Sequence, residues 1–470
     1  MIKPGCHRIS FILLVLIVIS TATTYAQNVV TIERFSSAKG VTIDGESVRK
    51  IYNARLSIGD VSLVCDSAWQ FIDKNEMRAF GNIQIDTPTE NIWTDTLYYY
   101  TNQDLSLLRG RVIILQDSTT LYGKKVDYNF FTKVAYFRDG IRLEDSEGTL
   151  KALKGTYFQN QDSAIFRMQV QIEDSAQYAE GDSLFINRKT KHLELFSNVF
   201  VSDSVNNALL TGDYLEADST GRRYVSGNAY LRKVESDSVK SDSTHINADE
   251  ILLLEQDSTS LIKAYGDVSV WAPKFSSLSD TLFFDSQKEL FELIDSPKAW
   301  HTNIQLTGPF ISVQLDSSEV KELKSFSGTI AVQEDSVTGR LNQLKGDTLI
   351  ASFQNGDISK IELYPNSEIL FHTKNDAGEA DGAMESSSPE TILYFDKGEL
   401  IRAKMGQNQG LFLPEYTDLV NRRLDGFIWN PELRPEKPDY IPKPRFQPIP
   451  IELPFTLPRR YLEFIEDLEE

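Results

Sequence analysis

Residues 110–118 read GRVIILQDS, in which a glycine, a run of alternating apolar residues and an acidic-serine pair follow one another. Two related segments are GIRLEDS at residues 140–146 and NVFVSDS at residues 198–204. Their apolar-x-apolar pair recurs at a fixed step of 29 residues, in the six copies Ala54/Leu56, Ile83/Ile85, Val112/Ile114, Ile141/Leu143, Val170/Ile172 and Val199/Val201. A fixed step of this length indicates an internal structural repeat, and this repeat decides the fold.

The apolar pair continues beyond the regular copies with looser spacing, at Ala229/Leu231, Val268/Val270, Ile330/Val332 and Ile369/Phe371. Ala299 begins another pair, but His301 stands where its second apolar residue is expected. A second apolar series has the same 29-residue step and comprises Tyr99, Tyr128, Tyr157, Ile186 and Leu215. Because the local period is two residues, each repeat is predicted to be a pair of β-strands joined by short polar turns.

A small residue lies just before many of the pairs: Gly81, Gly110, Gly140, Asn198, Gly227, Gly266 and Gly328. A glycine inside a strand usually marks a bend or a bulge. Its recurrence at one phase predicts that every long strand bends at the same level. The predicted fold is therefore all-β, an antiparallel sheet folded along its length into two leaves with an apolar interior, and without a helix longer than two turns before residue 414.

The first 26 residues have the layout of a secretory signal peptide, with a basic start, an eleven-residue apolar run at residues 9–19 and a predicted cleavage after Ala26. An uncleaved N-terminal anchor is the alternative. Residues 27–413 are predicted to form the repeat domain, either as one continuous stack or as two sub-stacks that meet around residues 235–245. The polar insertions at residues 235–245 and 376–389 are predicted to be solvated loops, and a calcium loop is disfavoured because the required glycine and spacing are missing.

Residues 414–470 form a different segment, which contains ten of the 17 prolines. Proline lacks the N–H group that a central strand needs, so an extended arm is predicted instead of sheet. Phe427, Trp429 and Tyr440 are expected to pack back on the body, and residues 460–470 to form one short helix. The sheet is expected to have exposed edges near residues 29–58 and 391–413, one of which the arm is expected to cap.

Composition excludes several classes of function. The chain carries 68 acidic and 48 basic side chains, a net charge of −20, so its overall field does not favour nucleic acid. The two cysteines, Cys6 and Cys65, lie on either side of the predicted cleavage site, and the five histidines are scattered, which does not suggest a metal site. No nucleophile motif or phosphate-binding loop is evident, so neither an enzyme nor a cofactor is expected.

Three segments carry a family resemblance: GNIQI at residues 81–85, SGNAYL at 226–231 and GDVSV at 266–270. GDYL at residues 212–215 and GDTL at 346–349 look like their partner strands. Behind a signal peptide, this pattern resembles the OstA-like family, which includes periplasmic lipopolysaccharide-transport bridge proteins and the N-terminal domain of the outer-membrane lipopolysaccharide-assembly protein. The resemblance covers residues 45–413 and implies an elongated, bent antiparallel β-jellyroll, or β-taco, here built from about 29-residue hairpin repeats.

The resemblance also implies a function, namely a lipid-carrying bridge that shields lipopolysaccharide acyl chains on the way to the outer membrane. The alternative is a β-solenoid spacer or adhesin with a fully packed core and no cargo. The expected lipid-lining residues are Ile83, Ile85, Val112, Ile114, Ile141, Leu143, Val170, Ile172, Val199 and Val201. Lys124, Lys125, Arg188 and Lys189 are candidates for contacting phosphate groups at the open edge, although ordinary solvated side chains are the simpler interpretation.

The expected partners are lipopolysaccharide or its lipid A part, and other components of the export bridge that pair with a sheet edge. End-to-end self-association is a further expectation, and no nucleic acid is expected. The expected location is the periplasm, with peripheral contact to the outer membrane as an option.

Overall fold

The structure is a computed structural model that describes residues 30–447 apart from 238–239, 257–258, 317–318 and 398, together with residues 449 and 457–469. The predicted signal peptide at residues 1–26 lies outside the described residues. Within the described residues, thirty-two antiparallel strands form a single sheet. Most long strands pair with the next strand in the chain, and where a strand is divided in two, its parts pair with different neighbours, as β9 does with β12 and β10 with β11. This architecture confirms the predicted all-β fold.

The first sixteen strands are β1 (Thr31–Arg34), β2 (Ser37–Ile43), β3 (Glu46–Ile58), β4 (Val61–Phe71), β5 (Glu76–Asp86), β6 (Asn91–Tyr100), β7 (Leu105–Gln116), β8 (Thr119–Asn129), β9 (Val134–Phe137), β10 (Ile141–Glu144), β11 (Thr149–Ala152), β12 (Lys154–Phe158), β13 (Ser163–Glu173), β14 (Gln177–Asn187), β15 (His192–Asp203) and β16 (Ala208–Ala217).

The remaining strands are β17 (Arg222–Asp237), β18 (Lys240–Gln256), β19 (Thr259–Ala272), β20 (Phe275–Asp285), β21 (Leu290–Ile294), β22 (Lys298–His301), β23 (Ile304–Thr307), β24 (Phe310–Asp316), β25 (Glu319–Glu334), β26 (Leu341–Gln354), β27 (Asp357–Tyr364), β28 (Ser367–Lys374), β29 (Ala380–Ser388), β30 (Thr391–Asp396), β31 (Glu399–Met405) and β32 (Gln409–Pro414). Short 3-10 turns lie at Ile72–Lys74, Gln159–Gln161, Thr417–Asn421 and Pro431–Leu433, and the single described α-helix is α1 (Arg459–Glu469). None of the described helices is both long enough and apolar enough to cross a membrane.

Every long strand crosses one common bend. Some cross it as a single strand with a bulge, such as β7, and others as two consecutive strands, such as β9 and β10. The bend divides the sheet into two leaves. Leaf A contains β2, β9, β12, β21, β24, β27, β30 and β31, and leaf B contains β1, β10, β11, β22, β23, β28, β29 and β32; the other strands contribute to both.

The bend is formed by residues in the left-handed backbone region. All seven small residues that the sequence placed at this phase have a positive φ, from 55° at Asn198 to 97° at Gly110. A Cβ atom on Gly110 would lie 2.4 Å from Oδ2 of Asp95 on the neighbouring strand. Asp95 in turn accepts a hydrogen bond from the Arg111 backbone N–H at 2.9 Å and pairs with the Arg111 guanidinium. The glycine phase is therefore confirmed as the phase of the bend.

The two leaves pack against each other through their apolar inner faces. Phe166 and Leu195 of leaf A and Ile141 and Val170 of leaf B are all fully buried in one continuous hydrophobic cluster. The free margins of the leaves carry the turns. Rim A, at the margin of leaf A, includes residues 101–104, 130–133 and 188–191, and rim B, at the margin of leaf B, includes residues 87–90, 117–118 and 145–148.

Two predicted loops are largely strand. β17 ends at Asp237 and β18 begins at Lys240, and the two strands pair with each other up to these residues. Residues 235–245, apart from the undescribed 238–239, therefore continue the sheet. β29 spans Ala380–Ser388 between β28 and β32. The loop prediction was wrong because it rested on polar composition, whereas backbone pairing with two neighbours makes these segments strands.

One predicted apolar pair faces the other way. The apolar spacing predicts that Ile330 and Val332 face the interior, but Ala331 between them packs in the inter-leaf core opposite Leu344. Ile330 instead lies on the outer face of leaf B, where a Cβ on Gly426 would be 3.2 Å from its Cδ1. Because the side-chain period of a strand is two, a one-residue difference in register reverses the face.

The arm that follows β32 runs back over the outer face of leaf B. Three buried glutamines hold it in the same way, because each side-chain amide donates to an arm carbonyl and accepts from the arm N–H two residues later. The three sets are Gln343 with Arg422 O and Leu424 N, Gln305 with Ile428 O and Asn430 N, and Gln171 with Gln447 O and Ile449 N, all between 2.8 and 3.2 Å. We call these three residues the glutamine clamps.

The last part of the arm is α1, as predicted for this segment. Tyr461 and Phe464 pack on Trp93 of leaf B, with ring centroids 4.9 and 5.2 Å away. The prediction that the arm caps an edge is wrong, since its clamps and its helix lie on the face of leaf B. Tyr440 does not pack back either, being 69% exposed, whereas Phe427 and Trp429 are half-buried.

Candidate functional site

The ten predicted lipid-lining residues all lie on leaf B, where they belong to the inter-leaf core or pack against it. Ile83, Val112, Ile141, Val170 and Val199 form a row beside the bend, and Ile85, Ile114, Leu143, Ile172 and Val201 form a second row towards rim B. Val112 and Ile141 both pair with Gly123, so successive members of the first row stand on alternate strands. The structure brings these residues together, and their contact with lipid stays a prediction.

The row beside the bend is tightly packed. Its intervening positions are small, and leaf A fills the space above them: a Cβ on Gly123 would lie 2.7 Å from Phe137, and one on Gly181 would lie 2.7 Å from Leu195. A Cβ on Gly212 would lie 2.5 Å from Val225. The leaves are therefore in direct contact beside the bend.

The second row becomes less buried along the chain. Ile85 is 0% exposed, Ile114 1% and Leu143 6%, whereas Ile172 and Val201 are half-buried. The second row is thus less tightly enclosed at β13 and β15, whereas its later counterparts Leu231 and Val270 are buried again, 3% and 1% exposed.

Polar side chains join the two rims along the closed part. Tyr128 on leaf A donates its hydroxyl hydrogen to Glu90 on rim B, and Lys133 on rim A lies 3.8 Å from the same carboxylate. Tyr157 donates to Gln116 Oε1 at 2.8 Å. These tyrosines belong to the second 29-residue series, whose next members, Ile186 and Leu215, have no hydroxyl group to span the gap.

Three further contacts complete this set. Gln159 donates to Thr89 at 2.9 Å, Arg188 pairs with Asp145 at 2.8 Å, and Lys191 pairs with Glu147 at 3.0 Å. We call the six cross-rim contacts between residues 89 and 191 the rim latch. It closes the side of the interior that lies opposite the bend.

Burial sets the protonation of the latch. It raises the pKa of Tyr128 and of Tyr157 far above the usual range, so both hydroxyls keep their protons and act as donors. Burial also raises the pKa of Glu90, although hydrogen bonding from Tyr128 and the charge of Lys133 oppose that shift. The two tyrosine contacts of the latch therefore use neutral donors, and Glu90 is its enclosed acidic group, whereas Arg188 and Lys191 contribute ion pairs.

The four predicted phosphate contacts are separated in the structure. Arg188 and Lys189 lie on rim A, and Arg188 is held by Asp145. Lys124 and Lys125 lie at the bend, where Lys125 pairs with Asp139 at 3.2 Å. The placement of these two lysines at the open edge is wrong, because they follow Gly123 at the level where the strand changes leaf.

A cleft of about 600 Å³ separates the rims near the C-terminal end of the sheet. Leaf B and rim B contribute residues 301–304, 333, 335–337, 342 and 371–374, and leaf A and rim A contribute residues 357, 358, 397, 399 and 400. We call it the access cleft. The access cleft was not predicted from the sequence, although the interruption of an apolar pair by His301 marks its position.

Within the described residues no group of three or more His, Cys, Asp or Glu side chains is placed to hold a metal ion. Cys65 is a free thiol in the inter-leaf core, and burial raises its pKa to about 12. A thiol in this state is a poor nucleophile at neutral pH.

Comparison with known proteins finds a family match for the first part of the sheet. Residues 27–180 match a family described as OstA-like protein. This OstA-like segment contains the strands from β1 to β13 and most of the rim latch.

No curated protein sequence matches the chain. Solved structures that match include one titled the crystal structure of LptH, the LptA homologous periplasmic component of the conserved lipopolysaccharide transport device from Pseudomonas aeruginosa. LptH is 9% identical to this chain. The match covers 30% of this chain and 95% of the LptH chain, with a TM-score of 0.24.

Proposed function

We propose that the chain is a periplasmic bridge protein of lipopolysaccharide transport that shields acyl chains between its two leaves. The observation that carries this proposal is the continuous apolar interior of a sheet that begins with the OstA-like segment. At about 4.8 Å between neighbouring strands, the folded sheet is on the order of 100 Å long, a dimension suited to a bridge. Each buried acyl methylene would contribute about 0.8 kcal/mol.

The sheet edges suit the partners that such a bridge requires. β1 and β2 form the first edge, and β31 and β32 form the last one. Each edge offers unpaired backbone groups to an added strand, either from another component of the export bridge or from a second copy of the chain.

A structural spacer with a packed core is the second candidate. The close approach of Phe137 to Gly123 and of Leu195 to Gly181 favours it, since an acyl chain beside the bend would have to displace these side chains. Under this hypothesis the apolar rows are ordinary core and the protein carries no lipid.

In vivo photo-crosslinking separates the two functions. We expect p-benzoylphenylalanine in place of Ile172, a half-buried inner residue of the second row, to capture lipopolysaccharide in living cells. The same amino acid in place of Glu173 should capture none, because neighbouring strand residues point to opposite faces and Glu173 is exposed.

A packed spacer makes the opposite prediction. It would show no lipopolysaccharide adduct at either position, and the protein purified from its own envelope would contain no lipid by native mass spectrometry. An adduct at Glu173 and none at Ile172 would also contradict carriage between the leaves.

A further inference from the structure

The rims are joined to each other in the N-terminal part of the sheet and stand apart near its C-terminal end. The rim latch joins them between residues 89 and 191, and among the described residues a further cross-rim ion pair, Lys274 with Glu319 at 3.6 Å, precedes the access cleft. Beyond this pair the access cleft, which has a volume of about 600 Å³, lies between the rims. An apolar ligand arriving from solvent therefore meets a way into the interior at the access cleft, whereas the latched part presents a closed polar surface.

The floor of the access cleft belongs to the inter-leaf core. It is lined mainly by apolar side chains from both leaves, namely Ile304, Ala331, Leu344, Ile358, Ile361, Phe371, Leu393 and Phe395. The cleft thus has a polar mouth on an apolar floor. An extended peptide would bring backbone N–H and C=O groups onto this floor without partners, which is costly, whereas a hydrocarbon chain brings none.

His301 occupies the wall between the mouth and the floor. It is 3% exposed, its ring lies 4.5 Å from that of Phe353 on leaf A, and its Nε2 atom has no hydrogen-bond partner among the described residues. It stands at an inner position where the repeat otherwise places an apolar residue. A buried polar atom without a partner is costly, so a ligand oxygen at this point would be stabilising.

The charge state of His301 narrows the chemistry of that ligand. Burial, together with the charges of Lys274 and Arg434, lowers the pKa of His301 to about 4. The imidazole is neutral at pH 7, and it suits an uncharged ester or hydroxyl oxygen better than a phosphate.

We propose that the access cleft is the site at which a fatty acyl chain bearing an ester or hydroxyl oxygen first enters the interior, with His301 as the partner of that oxygen. This inference rests on the proposed function and adds the place and the ligand class. The rim latch then confines the first stage of binding to the C-terminal part of the sheet.

A photoactivatable dodecanoyl ester with a diazirine at the chain end tests this inference on the purified full chain. At the shortest labelling times we expect adducts on peptides of the access cleft, around Ile358 and Phe371, and none on peptides that contain Ile114 or Leu143. Replacing Tyr157→Phe together with Gln116→Leu removes one latch contact. The peptides around Ile114 and Leu143 should then label about fivefold faster, the effect expected from the loss of one hydrogen bond.

Two variants serve as controls. Tyr136→Phe removes a hydroxyl from an exposed tyrosine on the outer face of leaf A and should change nothing. His301→Phe keeps an aromatic ring beside Phe353 but removes the hydrogen-bonding nitrogen, and it should weaken capture in the cleft by about fivefold. Unchanged capture in His301→Phe would overturn the role of this residue.

The outcomes distinguish this inference from the proposed function. Early adducts at Ile114 and Leu143, at the same rate as in the access cleft, would overturn the access site while leaving lipid carriage intact. Adducts at neither place would overturn lipid carriage and the access site together.

Discussion

At the scale of single residues, the bend depends on positions that must take a left-handed backbone. Gly110 has φ of 97°, and the Asp95 carboxylate lies where its Cβ would be. Burial alone would raise the pKa of Asp95, but hydrogen bonds from the Arg111 guanidinium and backbone outweigh it and hold the pKa below its usual value. The glycine and the charged pair together fix the path of β7 between the leaves.

We therefore expect Gly110→Ala to lower the free energy of unfolding by about 1–3 kcal/mol, the usual cost of holding a residue with a Cβ in a strained backbone. The measurement is the shift of the urea or thermal midpoint. Gly40→Ala is the matched control, because Gly40 lies in strand β2 without a positive φ, and a Cβ atom added there would meet no described atom within 4 Å.

The control should be neutral or slightly stabilising, since alanine restricts the unfolded chain more than glycine does. Equal midpoints for Gly110→Ala and the wild type would show that the bend does not need this backbone conformation.

At the scale of elements, the arm is attached by side chains and not by strand pairing. Each glutamine clamp offers one donor and one acceptor, which is what an extended segment presents at residues i and i+2. Glu180 adds a fourth point of attachment by accepting hydrogen bonds from the backbone N–H groups of Arg445 and Phe446. From the sequence alone, glutamines on the outer face of leaf B would be expected to be exposed to solvent. The arm covers them instead, and they are buried.

Gln305→Leu should release the middle of the arm. It leaves Ile428 O and Asn430 N without their partner, and an unsatisfied buried group costs about 1–3 kcal/mol. Hydrogen exchange at the Asn430 amide should accelerate roughly tenfold or more, as measured by mass spectrometry. Gln305→Glu should have an intermediate effect, because a carboxylate can accept from Asn430 but cannot donate to Ile428 O.

Gln70→Leu on leaf A is the comparison, since Gln70 is half-buried and takes no part in a clamp. If it accelerated exchange at Asn430 as much as Gln305→Leu does, the effect would be general destabilisation and the clamp would be contradicted.

At the scale of the whole molecule, the sheet remains open at its two ends. The last edge is apolar as well as unpaired, with Ile401 66%, Leu411 62% and Phe412 53% exposed. The arm lies on the face of leaf B and leaves this edge accessible. A lengthwise fold closes the interior from the side, but it cannot close the ends of the stack.

We expect self-association to occur through this edge. Phe412→Lys should reduce it, because a charge on an edge strand opposes strand addition. The measurement is the concentration dependence of the sedimentation coefficient. Phe131→Lys is the matched control: Phe131 is 80% exposed but lies in a turn on rim A. An equal reduction in both variants would indicate general loss of hydrophobic contact and would contradict edge pairing.

The repeat, the strands and the level of the bend could all be predicted from the sequence. A period of two residues assigns Val112 and Ile114 to one face, and a recurrent glycine marks the point where a left-handed backbone is needed, so local chemistry is sufficient for both. Met168 and Gln169 take the same conformation without glycine, with φ of 68° and 59°. Tertiary packing forces the bend there, and nothing local indicates it.

Which parts of the interior are closed, and where the arm lies, could not be predicted from the sequence because both depend on tertiary packing. The rim latch joins residues far apart in sequence, such as Thr89 and Gln159, and its existence depends on how closely the two leaves approach. The placement of Ile330 on the outer face depends on register, which a single apolar pair does not fix. The glutamine clamps bring together residues more than 70 positions apart, a proximity that arises only after the sheet has folded.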